Sequence, residues 1–312
     1  MIAQAVKVQC SGGLGIVQFA TGDRDVFQYT SSSKVIKEKQ LEVREINEAG
    51  SVNHLLVINS SEQHVFLMDG DILTGAKQNR VVNTSILLAP ASKTVIPVSC
   101  VEQGRWSRTS DTFSTAGFTA PTSLRASKSE QVRASLRRNE GHKADQGAIW
   151  DTVQEYQKAF HVDSRTSSLA DVFSEQEGQI SAAAVAFTPV PGANGLAVFL
   201  GRQLISLDLF HRCAVYEEYF PGLVRGAVLE SKRPPARKTT VSEAEAKFRT
   251  LDFLDSAEEA ESEEFPGVAV GVERRFEIGD LHACDLRVGG TTIHLGVLRT
   301  NLKKTRAGRA RP

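Results

Sequence analysis

The sequence is poor in cysteine, with four in 312 residues. They lie far apart, at Cys10, Cys100, Cys213 and Cys284. None belongs to a CxxC or CxxH pair, which argues against a zinc ribbon and a disulfide framework, so we expect reduced thiols. A thiol near an arginine can act as a nucleophile, but the alternation of TVIPVSCVE places Cys100 on one face with Ile96 and Val98. This position on an apolar face favours a packed, structural role for Cys100.

The chain also has no excess of either charge and no long apolar run. Lys plus Arg and Asp plus Glu both number 37, so no overall field favours nucleic acid or an anionic membrane. No stretch approaches the roughly eighteen apolar residues of a membrane span, and the start, MIAQAVKVQCSGG, does not resemble a signal peptide. We therefore expect a cytoplasmic protein that neither enters a membrane nor binds nucleic acid, and any anion site must be local.

A metal or cofactor signature is missing as well. His54, His64, Asp69 and Asp71 have a spacing that matches no known set of metal ligands. The GGLG stretch at residues 12–15 lacks the strand and helix context of a phosphate-binding loop and is typical of a turn. We expect no bound metal and no cofactor.

What the sequence does contain is a series of short β-like runs. Hydrophobic residues make up 41% of the chain, enough for a sizeable core. Over the first part of the chain, runs such as VKVQC, GIVQFA, NHLLVINS and HVFLM are separated by turn signals such as SGG, TGD and DGD. This pattern predicts a β-rich domain over residues 1–110, built as an antiparallel β-sandwich or a barrel-like sheet.

Helical and mixed patterns follow. From Gly104 to about Ser129 the Ser-, Thr- and Gly-rich composition predicts a long loop, a candidate lid. Apolar residues then recur with helical spacing at Ile149, Val153, Tyr156 and Phe160. Strand-like runs return between residues 183 and 210, and helical turns follow them. We predict a helical segment with an α/β part packed on it over residues 111–230.

The last part of the chain is predicted to be less regular. Residues 231–265 are interpreted as a linker and an acidic insert, with one helix indicated by the capping-box pair Ser242 and Glu245. The run DSAEEAESEE has no large apolar residue, which predicts a solvated, mobile insert. Closing strands are predicted over residues 266–302 and a disordered basic tail over residues 303–312. The whole chain is thus predicted to be α+β, with an N-terminal sheet, central helices, and further strands and helices in its C-terminal half.

One short segment is unusually polar for its surroundings. Lys77, Gln78, Asn79 and Arg80 stand in a row before the strand-like RVVNTSILL. If that run pairs as an antiparallel hairpin with TVIPVSCVE, Arg80 lies beside Glu102, and the polar ends of both strands form one rim. Such a rim offers a planar guanidinium that can bind an anion and amides that can donate and accept hydrogen bonds. It also offers an aromatic face on which a base or sugar can pack. The residues predicted to bind a ligand there are Lys77, Gln78, Asn79, Arg80, Asn83, Arg105 and Trp106.

Two interpretations of this rim stay open. In the first, Lys77 and Arg80 clamp a phosphate or carboxylate, and Glu102 acts as a catalytic general base. In the second, Lys77 and Arg80 pair with Asp69, Asp71 or Glu102 as a structural ion network, and Glu102 only neutralises Arg80.

The same segments resemble a known family. DGDILTGAKQNRVVNT (residues 69–84) and IPVSCVEQGRW (96–106), together with ADQGAIW (144–150) and LDLF (207–210), are similar to the ARG and Rhodanese-Phosphatase-superfamily-associated Protein domain. That family is a domain of unknown function, named for its genomic company with ADP-ribosylglycohydrolases and a rhodanese-phosphatase-type enzyme. The resemblance implies a role with ADP-ribose or another NAD-derived compound, and a functional association with such enzymes.

The sequence therefore favours a cytoplasmic protein that binds or processes an anionic, nucleotide-like small molecule, either as an enzyme or as a sensor. The alternative is a non-catalytic structural or protein-interaction module with an internal ion-pair network. An open concave site with unpaired cations would favour the first interpretation, and buried, fully paired cations would favour the second.

Overall fold

The structure, a computed structural model, describes residues 2–22, 25–234, 237, 239–300 and 302. Within them the chain forms seventeen strands and seven helices, so the predicted α+β class is confirmed. The strands are β1 (Ala3–Ser11), β2 (Leu14–Thr21), β3 (Tyr29–Ser31), β4 (Leu41–Arg44), β5 (His54–Asn59), β6 (His64–Leu67), β7 (Asp71–Gly75), β8 (Arg80–Val82), β9 (Ile86–Leu88), β10 (Ser92–Cys100), β11 (Phe113–Thr119), β12 (Gly195–Leu200), β13 (Gln203–Phe210), β14 (Ser262–Pro266), β15 (Val272–Ile278), β16 (Leu281–Val288) and β17 (Thr291–Arg299). The helices are α1 (Ser32–Lys37), α2 (Thr122–Arg137), α3 (Gln146–Phe160), α4 (Leu169–Glu175), α5 (Glu177–Ala184), α6 (Cys213–Lys232) and α7 (Glu243–Glu259).

The N-terminal half is built around a curled antiparallel sheet. Its strand order is β11-β7-β8-β10-β5-β4, and the outer strands β11 and β4 contact each other, so the sheet nearly closes on itself. A small three-stranded sheet, β3-β6-β9, shares its apolar core. The barrel-like sheet predicted from the alternating runs is confirmed in this form.

The first two strands belong to a different, eight-stranded sheet. Its order is β1-β2-β12-β13-β17-β16-β15-β14, so the N-terminal hairpin pairs with strands from the other end of the chain. The two faces of this sheet alternate in the usual way: Ile16 and Val198 pack in the core that contains α6, whereas Val17 and Phe199 pack against α7. The predicted domain boundaries stay a prediction.

Helical spacing located α3 and α7 correctly. In α3 the side chains of Ile149, Val153 and Tyr156 are buried, and the Asp145 carboxylate caps its N-terminus. Ser242 caps α7 by accepting a hydrogen bond from a backbone N–H of its first turn, as the capping-box pattern predicted.

Residues 104–129 contain more regular structure than predicted. The expected long loop is wrong from Phe113 onward, because β11 and the first half of α2 lie there. Helix α2 lacks a clear apolar stripe because two of its buried positions are cations, Arg125 and Lys128. Charged residues at core positions hide the helical pattern from a hydrophobicity argument.

The run RVVNTSILL forms two strands instead of one. Strand β8 pairs antiparallel with β10, as predicted, but β9 leaves the curled sheet and pairs with β6. The turn between them is held by side chains, since Ser85 Oγ accepts from the Asp69 N–H at 3.1 Å and Asn83 Oδ1 accepts from Ser99 Oγ at 2.8 Å. The first bond satisfies a backbone N–H, and the second joins two buried side chains across the turn.

The acidic run at residues 255–264 is packed, and its prediction as a mobile insert is wrong. It forms the end of α7, where Ala257 is buried, and most of β14. The Glu263 carboxylate forms salt bridges with Arg133 and Arg137 of α2. The Nη2 atoms of these arginines lie 2.8 and 2.7 Å from Glu263 Oε2. The cations that neutralise this segment are far away in sequence, so composition alone could not indicate its structure.

The predicted basic tail, residues 303–312, lies outside the described residues. Among the residues that the structure does describe, no helix has both the length and the apolar character required to cross a membrane.

Candidate functional site

The predicted rim forms around Trp106. Its indole is 48% exposed and lies over two cations, with Lys77 Nζ 5.3 Å and Arg80 Cζ 5.8 Å from the ring centroid. Lys77 Nζ also donates to the backbone carbonyls of Glu48 and Ala49, the latter at 2.9 Å. The ammonium group predicted to clamp a ligand therefore holds a loop of this chain.

Arg80 is fully buried and faces Glu45. Its Nη2 lies 3.8 Å from Glu45 Oε1 and donates to the Ser51 carbonyl at 3.4 Å, while Nη1 donates to Gln78 Oε1 at 3.1 Å. Burial lowers the pKa of Arg80 below its ordinary value. Sequence reasoning missed Glu45, which follows β4 and carries no local signal that links it to Arg80.

Glu102 pairs with Arg105 rather than with Arg80. Arg105 donates through Nε at 2.9 Å and through Nη2 at 2.7 Å, and the Asn79 N–H adds a bond at 2.9 Å. Although burial raises the pKa of Glu102, these bonds hold it below its ordinary value. The three hydrogen bonds to this ionised carboxylate hold the chain in place just after β10. The role of Glu102 as a general base stays a prediction.

The amides of the rim also bond within the chain. Asn79 Oδ1 accepts from the Gly75 N–H at 3.2 Å, and its Nδ2 donates to Ser168 Oγ at 3.3 Å. Gln78 Oε1 accepts from the Cys100 thiol at 3.2 Å. Burial raises the pKa of Cys100, which keeps it a thiol and agrees with a packed role.

A second charged cluster, missed by sequence reasoning, links the curled sheet to the eight-stranded sheet. Lys128 and Arg125 of α2 both pair with Asp69, which precedes β7. Arg125 also grips Asp208 of β13 through two hydrogen bonds, of 3.0 and 2.6 Å. Lys128 donates to the Asn83 carbonyl at 2.8 Å, so Asn83 belongs to this cluster and not to the rim.

Asp71 lines a cavity of about 250 Å³, which we call the Asp71 cavity. Its Oδ2 accepts hydrogen bonds from the Met68 N–H at 2.9 Å and from the Tyr219 hydroxyl at 3.0 Å. Within the described part of the chain, Oδ1 makes no hydrogen bond. One carboxyl oxygen is therefore left for a ligand.

The electrostatics of this carboxyl differ from those of Glu102. Burial raises the pKa of Asp71 to about 7, and the bonds from Met68 and Tyr219 offset only part of that effect. Burial also raises the pKa of Tyr219, so its hydroxyl keeps its proton and donates it. A carboxyl that titrates near neutrality can deliver or accept a proton at physiological pH.

The rest of the cavity wall mixes hydroxyls, charges and one apolar side. Ser33 and Thr115 bring hydroxyls within 3.5 Å of each other, and Phe118 supplies an apolar face. Glu218 adds a second carboxylate and Lys37 a cation. This combination suits a hydroxyl-rich group, since sugar hydroxyls both donate and accept while ring carbons pack on apolar surface.

Sequence reasoning came close to this site through Asp71 alone. It considered Asp69 and Asp71 as metal ligands and as ion-pair partners of Lys77 and Arg80. The described residues contain no group of three or more His, Cys, Asp or Glu side chains placed to hold a metal ion. The other cavity residues, such as Tyr219 and Lys37, come from α6 and α1, and nothing in the sequence indicates that these helices meet β7.

Comparison with known proteins bears on the whole chain. Residues 3–298 match the ARG and Rhodanese-Phosphatase-superfamily-associated Protein domain, a range that includes the rim and the Asp71 cavity. Neither the curated proteins nor the solved structures gave a significant match. The chain therefore belongs to the ARG and Rhodanese-Phosphatase-superfamily-associated Protein domain family, as its resemblance predicted.

Proposed function

We propose that this protein is an enzyme that binds the sugar part of a small molecule in the Asp71 cavity and uses Asp71 as its general acid. The supporting observation is a buried carboxyl in a cavity, with a pKa raised to about 7 and one oxygen without a hydrogen bond in the described chain. Catalytic acids work best when their pKa lies near the operating pH, and burial is a common way to reach that value.

The size and lining of the cavity support a particular class of substrate. About 250 Å³ is small beside the roughly 300–1,000 Å³ of sites for drug-sized ligands, so the cavity suits one sugar-sized group and not a whole dinucleotide. Hydroxyls from Ser33 and Thr115 can bond sugar hydroxyls, and Lys37 can attract a neighbouring phosphate. ADP-ribose or another NAD-derived compound has this combination of ribose and phosphate, in line with the family resemblance and with action beside an ADP-ribosylglycohydrolase-type enzyme.

The test is a turnover assay with ADP-ribose, NAD, nucleosides and ribose phosphates as separate probes, with products separated by chromatography. Asp71→Asn should lower kcat by about 10²–10⁴-fold on any probe that the wild type converts, because the proton donor is removed. Asp111→Asn, at an exposed surface carboxylate, is the matched control and should keep full activity. Absence of turnover on every probe, or equal rates for Asp71→Asn and wild type, would contradict the proposal.

A second candidate function is a non-catalytic structural or interaction module. The observation that favours it is the pairing of the rim, since Arg105 is fully engaged by Glu102 and by backbone carbonyls at 2.6 and 3.2 Å. In that case none of the probes should raise the melting temperature, whereas a ligand at 100 times its dissociation constant stabilises by about 2.7 kcal/mol.

A further inference from the structure

The rim contains a group of buried polar atoms that its internal bonds do not explain. The side chains of Arg80 and Glu45 are 0% and 2% exposed. Both carboxylate oxygens of Glu45 and the Nε of Arg80 are buried without a hydrogen-bond partner in the described chain. The nearest approach between the two groups is 3.8 Å, too long for a hydrogen bond. Buried acceptors and donors are usually satisfied, so these three atoms are open to the donors and acceptors of a ligand.

These atoms lie beneath a short loop, residues 46–51, which we call the covering loop. A Cβ built on Gly50 would lie 3.3 Å from Glu45 Oε2 and 3.3 Å from Trp106 Cζ2, so Gly50 separates the carboxylate from the indole. Gly50 has a φ of +79°, a conformation that favours glycine. Displacing this loop would join the Glu45 carboxylate, the Arg80 guanidinium and the Trp106 ring in one site.

The contacts that hold the covering loop are few and replaceable. Lys77 Nζ donates to the carbonyls of Glu48 and Ala49, and Arg80 Nη2 donates to the Ser51 carbonyl at 3.4 Å. The loop side chains at residues 46–49 are exposed. A segment with little buried side-chain surface and a few backbone contacts opens at low free energy.

We propose that Glu45, Arg80 and Trp106 form a second ligand site, covered by the loop, that takes a planar aromatic ring bearing a primary carboxamide. The amide NH₂ donates to the Glu45 carboxylate, and the amide carbonyl accepts from Arg80 Nε, which lies on the same edge of the guanidinium as Nη2. The ring stacks on the exposed indole of Trp106. This pairing of one acceptor with one donor selects a carboxamide over a carboxylic acid, because Glu45 repels a second carboxylate.

The covering loop itself supports this chemistry. Its Ser51 carbonyl already accepts from Arg80, so an amide carbonyl is compatible with the guanidinium. In the absence of a ligand, the Ser51 carbonyl of the covering loop therefore takes the place of the ligand's amide carbonyl, and a ligand displaces it. This site lies apart from the Asp71 cavity and does not depend on the proposed reaction.

Nicotinamide and benzamide are the probes, and nicotinic acid is the matched control that differs from nicotinamide only in its acid group. Binding to the full-length protein is measured by titration calorimetry and by quenching of tryptophan fluorescence. The expected result is binding of both amides and at least about tenfold weaker binding of nicotinic acid. Equal affinity for nicotinamide and nicotinic acid, or no binding of either amide, overturns the proposal.

Two variants then test the site and its cover separately. Trp106→Leu, at an exposed ring, should weaken nicotinamide binding by about tenfold while the melting temperature stays close to that of the wild type. Lys77→Met removes the tether of the covering loop and should tighten binding by about three- to tenfold, because less free energy is needed to open the loop. A purely structural role for Lys77 cannot produce tighter binding, so unchanged or weaker affinity in Lys77→Met overturns the covering role of the loop.

Discussion

At the scale of single residues, the buried carboxyl of Asp71 should make stability fall as the pH rises. Burial raises its pKa from 3.8 to about 7, so between these values the folded protein holds a proton that the unfolded chain releases. Its contribution is therefore fully present below about pH 4 and is lost as the pH rises through 7. Three pKa units correspond to about 4 kcal/mol, which is the expected size of the loss.

Asp71→Asn should remove this pH dependence, because an amide cannot titrate and its oxygen can still accept from Met68 and Tyr219. Urea unfolding of wild type and variant at pH 5 and pH 8 measures the difference. The variant should gain stability relative to the wild type at pH 8. An identical pH dependence in the two proteins would show that Asp71 ionises normally.

Substitution of Arg80 is predicted to lower the free energy of unfolding, whereas Asp71→Asn raises it at pH 8. Arg80→Ala leaves the buried Glu45 carboxylate without its cation, and such a loss costs about 3–5 kcal/mol. Arg108→Ala is the control, because its pair with Asp111 is exposed and should contribute less than about 1 kcal/mol. Both values come from chemical denaturation. Equal, small losses in the two variants would mean that Arg80 is not part of a buried network.

The rim also illustrates how far sequence reasoning reaches for individual residues. The assumed antiparallel hairpin correctly placed Arg80 beside the end of β10. The sequence could not fix the register between β8 and β10. In the structure Arg80 lies opposite Cys100 instead of Glu102, and Glu102 pairs with Arg105. Nor could it find Glu45, because ion pairs between distant segments leave no local pattern.

At the scale of elements, the acidic segment should matter for stability. Deleting residues 255–264 removes β14 from its pairing with β15 and exposes the apolar surface that Ala257 covers. We expect a loss of several degrees in melting temperature, at about 2–4 °C for each kcal/mol. Glu263→Gln, which weakens only the partly exposed pairs with Arg133 and Arg137, should cost about 1 kcal/mol at most. If the deletion lowered stability no more than Glu263→Gln does, residues 255–264 would not be packed against the rest of the protein.

Elements were predictable where apolar spacing and capping agreed. Helix α3 has both, with Ile149, Val153 and Tyr156 on one face behind the Asp145 cap. Helix α2 has neither, because Arg125 and Lys128 occupy core positions and Pro121 offers no side-chain cap. Its cations are paired with carboxylates from distant segments of the chain, Asp69 before β7 and Asp208 in β13. The element is therefore defined by tertiary pairing and not by its own sequence.

At the scale of the whole molecule, the same pairing joins the two large sheets. Asp69 stands at the entry to the curled sheet and Asp208 lies inside the eight-stranded sheet, with Arg125 of α2 between them. Gly70 makes this approach possible, since a Cβ there would lie 2.8 Å from the Arg125 side chain. Sequence reasoning could not foresee this arrangement, nor the pairing of β2 with β12, because both join segments far apart in the chain.

This arrangement leads to the last prediction, which concerns the cooperativity of unfolding. Arg125→Met keeps the bulk of the side chain but removes the guanidinium from Asp208, which is fully buried and has His294 Nε2 at 3.4 Å. We expect a loss of about 3–5 kcal/mol. Arg125→Met combined with Asp208→Asn should recover part of it, because the stranded charge is then removed as well.

The same variant should also separate the unfolding of the two sheets. In the wild type, urea unfolding followed by tryptophan fluorescence and by far-ultraviolet circular dichroism should give coincident curves, since Arg125 ties the sheets together. In Arg125→Met the fluorescence curve, which reports on Trp106 beside the curled sheet and Trp150 in α3, should shift relative to the dichroism curve. A loss below about 1 kcal/mol, with no recovery on adding Asp208→Asn, would show that packing rather than this charge cluster couples the sheets.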